Sequence, residues 1–143
     1  MPKLTLYYST NDVDIYKVDF VPVQAPAENK TYQLAREFPL FSDPELTTKV
    51  GQRYCSSLIT ESTPFLIEQD TSSFRFLNGD SITYIAVNDY KFIPPGTTEV
   101  NKIVTGSGKY LLATGTVSIS VRADNPSLRT VVIRYCIPPF PNV

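Results

Sequence analysis

Residues 103–121 read IVTGSGKYLLATGTVSISV and carry three of the chain's six glycines, Gly106, Gly108 and Gly115. Two readings compete for such a run: a loop that cradles a phosphate, or a turn that folds one β-strand back onto the next. A dinucleotide fingerprint needs G-x-G-x-x-G between a strand and a helix. Here the third glycine is misplaced, and TVSISVR beyond it alternates with the period of a strand. A Walker loop needs G-x-x-x-x-G-K-[ST], which GSGKY does not supply. The glycines therefore read as turn-makers: Gly106 and Gly108 turn the chain, and Gly115 marks a bulge or close approach on a bent strand.

Working outward, the same period recurs. Val117, Ile119 and Val121 share one face, with Thr116, Ser118, Ser120 and Arg122 on the other. After the turn residues ADNPS, Val131, Ile133, Tyr135 and Ile137 line up opposite Thr130, Arg134 and Cys136, giving an antiparallel pair. SSFRFLNGDSITYIAV reads as a hairpin about an Asn-Gly-Asp turn, with Phe74 and Phe76 on one face and Ile82, Tyr84 and Ala86 on another. GQRYCSSLITE and PFLIEQD form a further pair, broken near residues 62–64. DIYKVDFVPV and LTLYYS are strand candidates, Pro22 marking an edge. Residues 24–49 read as a long irregular connection with one helical turn at QLAREF. About eight short strands and almost no helix predict an all-β sandwich or closed barrel.

Composition narrows the chemistry. The 143 residues suit one domain, residues 1–143, with 42% hydrophobic and 19% charged residues, as in a soluble globular protein. A net charge of −1 provides no basic field for nucleic acid. No apolar run has the length of a membrane span, and the start MPKLTLYYSTNDVD has no signal-peptide core, so a cytoplasmic location is expected. There is no histidine, which removes Ser–His and Cys–His nucleophile systems and most zinc sites. Two cysteines, Cys55 and Cys136, are too few for a disulfide framework.

VTGSGKYLLATG resembles the signature of the allene oxide cyclase and dirigent families, with Gly106, Ser107, Gly108, Tyr110, Ala113 and Gly115 matching. Thr105 stands where those families usually place a first glycine. KVGQRYCSSLI is similar to their Val-Gly strand with a nearby cysteine, and TVVIRYCI to their closing strand, so the resemblance spans about residues 38–137. Bacterial spirotetronate cyclases resemble the chain through the same arrangement. The resemblance implies a small antiparallel allene oxide cyclase-like barrel of about eight strands. It also implies an oligomer, taken as a homodimer or homotrimer, and a mostly apolar lumen open at one end. Such proteins use no cofactor and no metal, and act as cyclases or isomerases by fixing the conformation of a reactive hydrophobic substrate.

The resemblance implies a polar lumen residue at Asp19, and Lys17, two residues earlier, shares its strand face, which makes the two the candidate catalytic pair, with a solvated surface pair as the alternative. Val117, Ile119 and Val121 match lumen-lining positions, and Phe74, Phe76, Tyr84, Tyr135 and Cys55 join them as candidate substrate contacts or plain core. Tyr110 is expected to plug the turn. Arg75, Arg122 and Arg134 lie on strands, where a lumen arginine would hold an acidic substrate and an outward one would be ordinary surface. Three functions stand open: a cofactor-independent cyclase or isomerase of natural-product biosynthesis, a dirigent-like or ligand-binding barrel without catalysis, and a structural protein with a filled barrel. Lumen volume separates the last from the others: a cavity below roughly a few hundred Å3 could not hold such a substrate.

Overall fold

The computed structural model describes residues 1–20, 30–62, 65–89 and 94–139. Nine strands form one antiparallel sheet: β1 Lys3–Ser9, β2 Asp14–Phe20, β3 Lys30–Phe41, β4 Lys49–Ser62, β5 Phe65–Phe76, β6 Ser81–Asp89, β7 Thr98–Ser107, β8 Thr114–Val121 and β9 Leu128–Cys136. Their order is β1-β9-β8-β7-β6-β5-β4-β3-β2, and β1 also pairs with β3 through Tyr7 and Phe41. Eight strands thus close a barrel, and β2 is an extra strand laid along β3. No helix among the described residues is long and apolar enough to cross a membrane.

The period-two faces set what lies inside. Val117, Ile119 and Val121 of β8 are buried, and across the ladder they meet Ile133, Val131 and Arg129 of β9. Leu6, Phe38, Leu40, Phe74 and Ile82 join Val117, Ile119, Val131 and Ile133 in one core. Outward positions carry short hydroxyl pairs across the strands, such as Ser73 with Thr83 at 2.7 Å and Thr98 with Ser120 at 2.9 Å. Alternation puts every second side chain on the dry face, so burial and polarity follow one pattern.

Two readings change. QLAREF is not a helical turn but the middle of β3, where Leu34 is buried and Gln33 exposed. Strand pairing on both sides, to β2 and to β4, outweighs the local helix propensity of Leu, Ala, Arg and Glu. PFLIEQD and SSFRF are one strand, β5, not two, because Thr71, Ser72 and Ser73 pair on as strand residues.

The glycine-rich stretch closes the lower end of the barrel. Gly106 is still inside β7, opposite Ile82, so the turn itself begins at Gly108. Gly108 has φ +62, and a β-carbon there would lie 1.9 Å from Asp80 Oδ1 in the β5–β6 hairpin. Gly108–Tyr110 forms a single 3-10 turn that drops Tyr110 inward. Its ring packs 5.5 Å from Phe76 and 5.3 Å from Tyr135, which makes it the floor plug.

Beyond it, Leu111 at φ −57 and Leu112 at φ +64 make a type II turn, closed by the Ala113 N–H on the Tyr110 carbonyl at 2.9 Å. That turn wants glycine at its third position. A left-handed leucine costs about 1–2 kcal/mol. Leu112→Gly is therefore expected to raise stability by about 0.5–1 kcal/mol, after glycine's extra unfolded-state entropy is subtracted. A rise in the urea midpoint with unchanged slope checks it.

Candidate functional site

Above the apolar floor the lumen becomes polar, because the inward phase of several strands continues into charged residues. On β4 it runs Gly51, Arg53, Cys55, Ser57, and on β5 it runs Phe74, Ser72, Asp70, Glu68, all buried. On β9 the phase of Ile133 and Val131 reaches Arg129, and on β3 that of Phe38 reaches Arg36. Of these, Arg36, Phe38, Arg53, Glu68, Asp70 and Arg129 border a half-enclosed cavity of about 110 Å3, together with Tyr8, Thr10, Tyr84, Glu99 and Ile119. The mostly apolar lumen implied by the family resemblance is thus found only in the lower half.

Arg53 is the central group. It is 6% exposed, and its guanidinium carbon sits 5.0 Å from the centre of the Tyr8 ring and 5.4 Å from that of Phe38. Its Nη2 donates to Tyr84 Oη at 2.8 Å and to Ser72 Oγ at 3.2 Å. Ser72 Oγ in turn lies 2.9 Å from Asp70 Oδ2, which it can serve as donor. On the neighbouring wall Arg36 pairs with Glu68, and donates to Ser57 Oγ at 2.9 Å. Ser57 Oγ has one proton and two carboxylates within reach, Glu68 at 2.7 Å and Asp70 at 3.1 Å. Two serines therefore stitch two arginines to two carboxylates. The cationic partners and hydroxyl donors are what allow Glu68 and Asp70 to stay buried.

Burial pushes the phenols of Tyr8 and Tyr84 above their ordinary value of 10.0, and the nearby Arg53 charge works in the other direction. A raised folded-state value stabilises the fold below the unfolded value. That contribution is lost as the pH rises through the folded value. Stability is thus expected to hold to about pH 10 and to fall above it, as phenols ionise in the unfolded chain. In an ultraviolet titration the Tyr8 and Tyr84 phenols should ionise above the ordinary value of 10.0. Tyr84→Phe should remove one late-titrating phenol and shallow the alkaline loss.

The candidates named from sequence separate clearly. Tyr84 and Ile119 line the cavity. Phe74, Val117 and Val121 are buried core, while Phe76 and Tyr135 pack against the floor plug. Cys55 is buried at 3% exposure beneath the cavity lining, and burial raises its thiol against the pull of Arg53, so it is held as a neutral thiol. Cys136 is free and exposed. Lys17 and Asp19 stand on β2, outside the closed ring, opposite Leu34 and Tyr32 in the ladder; their side chains lie outside the described residues. Arg75, Arg122 and Arg134 face outward, Arg122 pairing with Asp124 at 2.9 Å. The lumen arginines are instead Arg36, Arg53 and Arg129, which sequence reasoning missed.

A second depression, about 300 Å3, lies on the outside of the sheet and includes the side chains of Leu58, Ile85 and Val87. It is larger, but the arginines, tyrosines and paired carboxylates converge in the lumen, which is the site with chemistry.

No family model and no curated protein sequence matches the chain. Solved structures do. The fold is similar to that of a pyocyanin demethylase, with a TM-score of 0.61 and 16% identity over 94% of this chain and 100% of that one. It is also similar to the pterocarpan synthase dirigent protein GePTS1, with a TM-score of 0.61 and 19% identity over 94% of this chain and 86% of that one. A second pterocarpan synthase dirigent protein, PsPTS1, aligns with a TM-score of 0.57 and 18% identity over 94% and 92%. At these identities the likeness is one of fold, and on fold it agrees with the dirigent side of the resemblance carried by the glycine stretch.

Proposed function

We propose that the protein takes a small conjugated organic substrate into the upper lumen and directs its isomerisation or ring closure by restraint and proton transfer, without a bound cofactor. The observation that carries this reading is the Arg53–Tyr84 hydrogen bond, with the Asp70 and Glu68 carboxylates beside it on the wall of one half-enclosed cavity. Arg53 polarises the Tyr84 hydroxyl, so that a carbonyl oxygen in the cavity meets a strong donor as negative charge develops on it. A carboxylate on the same wall, Asp70 being joined to Arg53 through Ser72, borders the cavity and can remove and return a carbon-bound proton. The neighbouring barrels include one named for demethylation and two for directing pterocarpan synthesis, and both names fit reactions steered inside a lumen.

Size limits the substrate. A cavity of about 150 Å3 accepts one benzene, so about 110 Å3 takes a polar head such as a carbonyl or carboxylate and leaves the ring or any larger body at the open side. A lumen of about 110 Å3 is below the few hundred Å3, roughly, that would hold a whole substrate, so volume favours a filled, structural barrel. The three arginines that line it, where a filled barrel would place apolar side chains, favour an occupied one. The same reading includes a cytoplasmic homodimer or homotrimer. Leu58, Ile67, Ile85 and Val87, exposed on the outer faces of β4 to β6, supply apolar area for contact, and light scattering tests the assembly.

The catalytic test is the conversion of 3-cyclohexen-1-one to 2-cyclohexen-1-one, a proton shift that needs no co-reactant. The protein is expected to accelerate it over buffer, and Asp70→Asn or Tyr84→Phe to remove about 10²-fold or more of that acceleration. If the ketone occupies the lumen without any acceleration, the alternative holds: a dirigent-like or ligand-binding barrel with no proton transfer of its own.

A further inference from the structure

Three guanidinium groups enter the cavity from three different strands, Arg36 from β3, Arg53 from β4 and Arg129 from β9. Each keeps one buried nitrogen without a hydrogen-bond partner: Arg36 Nε, Arg53 Nε and Arg129 Nη1. A buried donor left unpaired costs about 1–3 kcal/mol, more when it is charged. Folded proteins leave few such groups, and each calls for a reason. All three belong to guanidinium groups that border one small cavity, each of these nitrogens being itself closed off from it.

The acceptors already present do not answer them. Glu68 receives Arg36 Nη2 and the Ser57 hydroxyl, Asp70 lies within reach of Ser57 and Ser72, and Glu99 receives the Asn101 side-chain amide at 3.0 Å. Arg53 spends Nη2 on Tyr84 and Ser72. What the cavity lacks is a planar acceptor with several lone pairs and a negative charge, which guanidinium edges recognise in fork geometry. The charge required is small. Three carboxylates line the same space as the three arginines, so a dianion such as phosphate would meet repulsion that a monoanion largely avoids. Tyr8 and Phe38, whose rings already stack on Arg53, provide a flat wall for an unsaturated body.

We infer that the substrate is an organic monocarboxylate of ring size, its carboxylate seated among Arg36, Arg53 and Arg129 and its body directed to the open side. This inference rests on the lumen-binding reading above and adds the chemical class.

Benzoate and its neutral isostere benzamide test it, by calorimetric titration and by the arginine Nε–H resonances in nitrogen-15 correlation spectra. Benzoate is expected to bind one to one, at least tenfold tighter than benzamide, and to shift the Arg36 and Arg53 Nε–H signals. Arg129→Gln is expected to weaken benzoate tenfold or more while changing benzamide less than twofold. Should that variant fail to fold, Arg129→Lys keeps the charge without the fork, and an affinity between the two extremes supports the same assignment. Benzamide binding in the lumen as tightly as benzoate would overturn the carboxylate assignment and leave the lumen reading standing. If benzoate, benzamide and cyclohexenone all fail to shift any lumen resonance, the lumen reading itself falls, and this inference with it.

Discussion

Gly115→Ala is expected to lower stability by about 3 kcal/mol or more, and the melting temperature by roughly 10 °C. Gly115 holds φ +140 in β8, a region open to essentially no other residue, and stands opposite Tyr135 of β9. A β-carbon there would lie 1.9 Å from the Arg134 carbonyl oxygen and 2.9 Å from the Tyr135 α-carbon. Both are backbone atoms, so no side chain can swing away; β8 and β9 must separate. The strain of the conformation alone costs about 1–3 kcal/mol, and the lost pairing adds to it. Gly79→Ala is the control. Its φ is +93, yet nothing lies within 4 Å of the added carbon, so only the strain of about 1 kcal/mol is expected. Thermal unfolding followed by circular dichroism compares the two. Equal losses would mean that the close approach to Arg134 contributes nothing.

Arg53→Met should rank beside it, at about 3–5 kcal/mol, the cost of leaving a buried charge network without one partner. The methionine retains most of the stem's packing against Tyr8 and Phe38. It leaves Tyr84 Oη and Ser72 Oγ without their donor and Asp70 with serine hydroxyls alone. Against a total stability of about 5–15 kcal/mol, such a loss brings the fold near its limit. Asp70→Asn in the same chain removes the uncompensated carboxylate, so the double variant is expected to recover part of the loss. A double-mutant cycle from urea melts reads the coupling. Additive losses would show that Arg53 and Asp70 do not communicate through Ser72.

The barrel was legible in the sequence because alternation is a backbone property. TVSISV, TVVIRY and the Asn-Gly hairpin each show their faces without help from distant residues. The polar site was hidden by the same habit of reading. Periodicity marks a face only while it stays apolar: on β9 the apolar phase begins at Val131, and its in-phase neighbour Arg129 carries no hydrophobic signal. Arg53 and Cys55 share a phase, as do Asp70, Ser72 and Phe74, and carrying those phases through the polar residues would have pointed at the lumen. Arg36 was concealed differently. Its neighbours Leu34, Ala35 and Glu37 favour a helix, and only the pairing of β3 on both sides decides otherwise. That the three arginines meet depends on how β3, β4 and β9 curve round to face one another. No local pattern encodes that closure.

The β1 strand has a kinetic consequence. Every other neighbouring pair in the ring joins strands that follow one another along the chain, so each can form as a hairpin. β1 alone has two distant neighbours, β9 at the far end of the chain and β3 across the Tyr7–Phe41 contact. Its docking therefore carries the loop-closure entropy of the whole ring. Until it docks, the eight remaining strands form an open curved sheet with two unpaired edges, and Tyr8 is absent from the face of Arg53. The last step of folding and the completion of the lumen are then one event: the polar cavity is whole only when the first strand locks the seam.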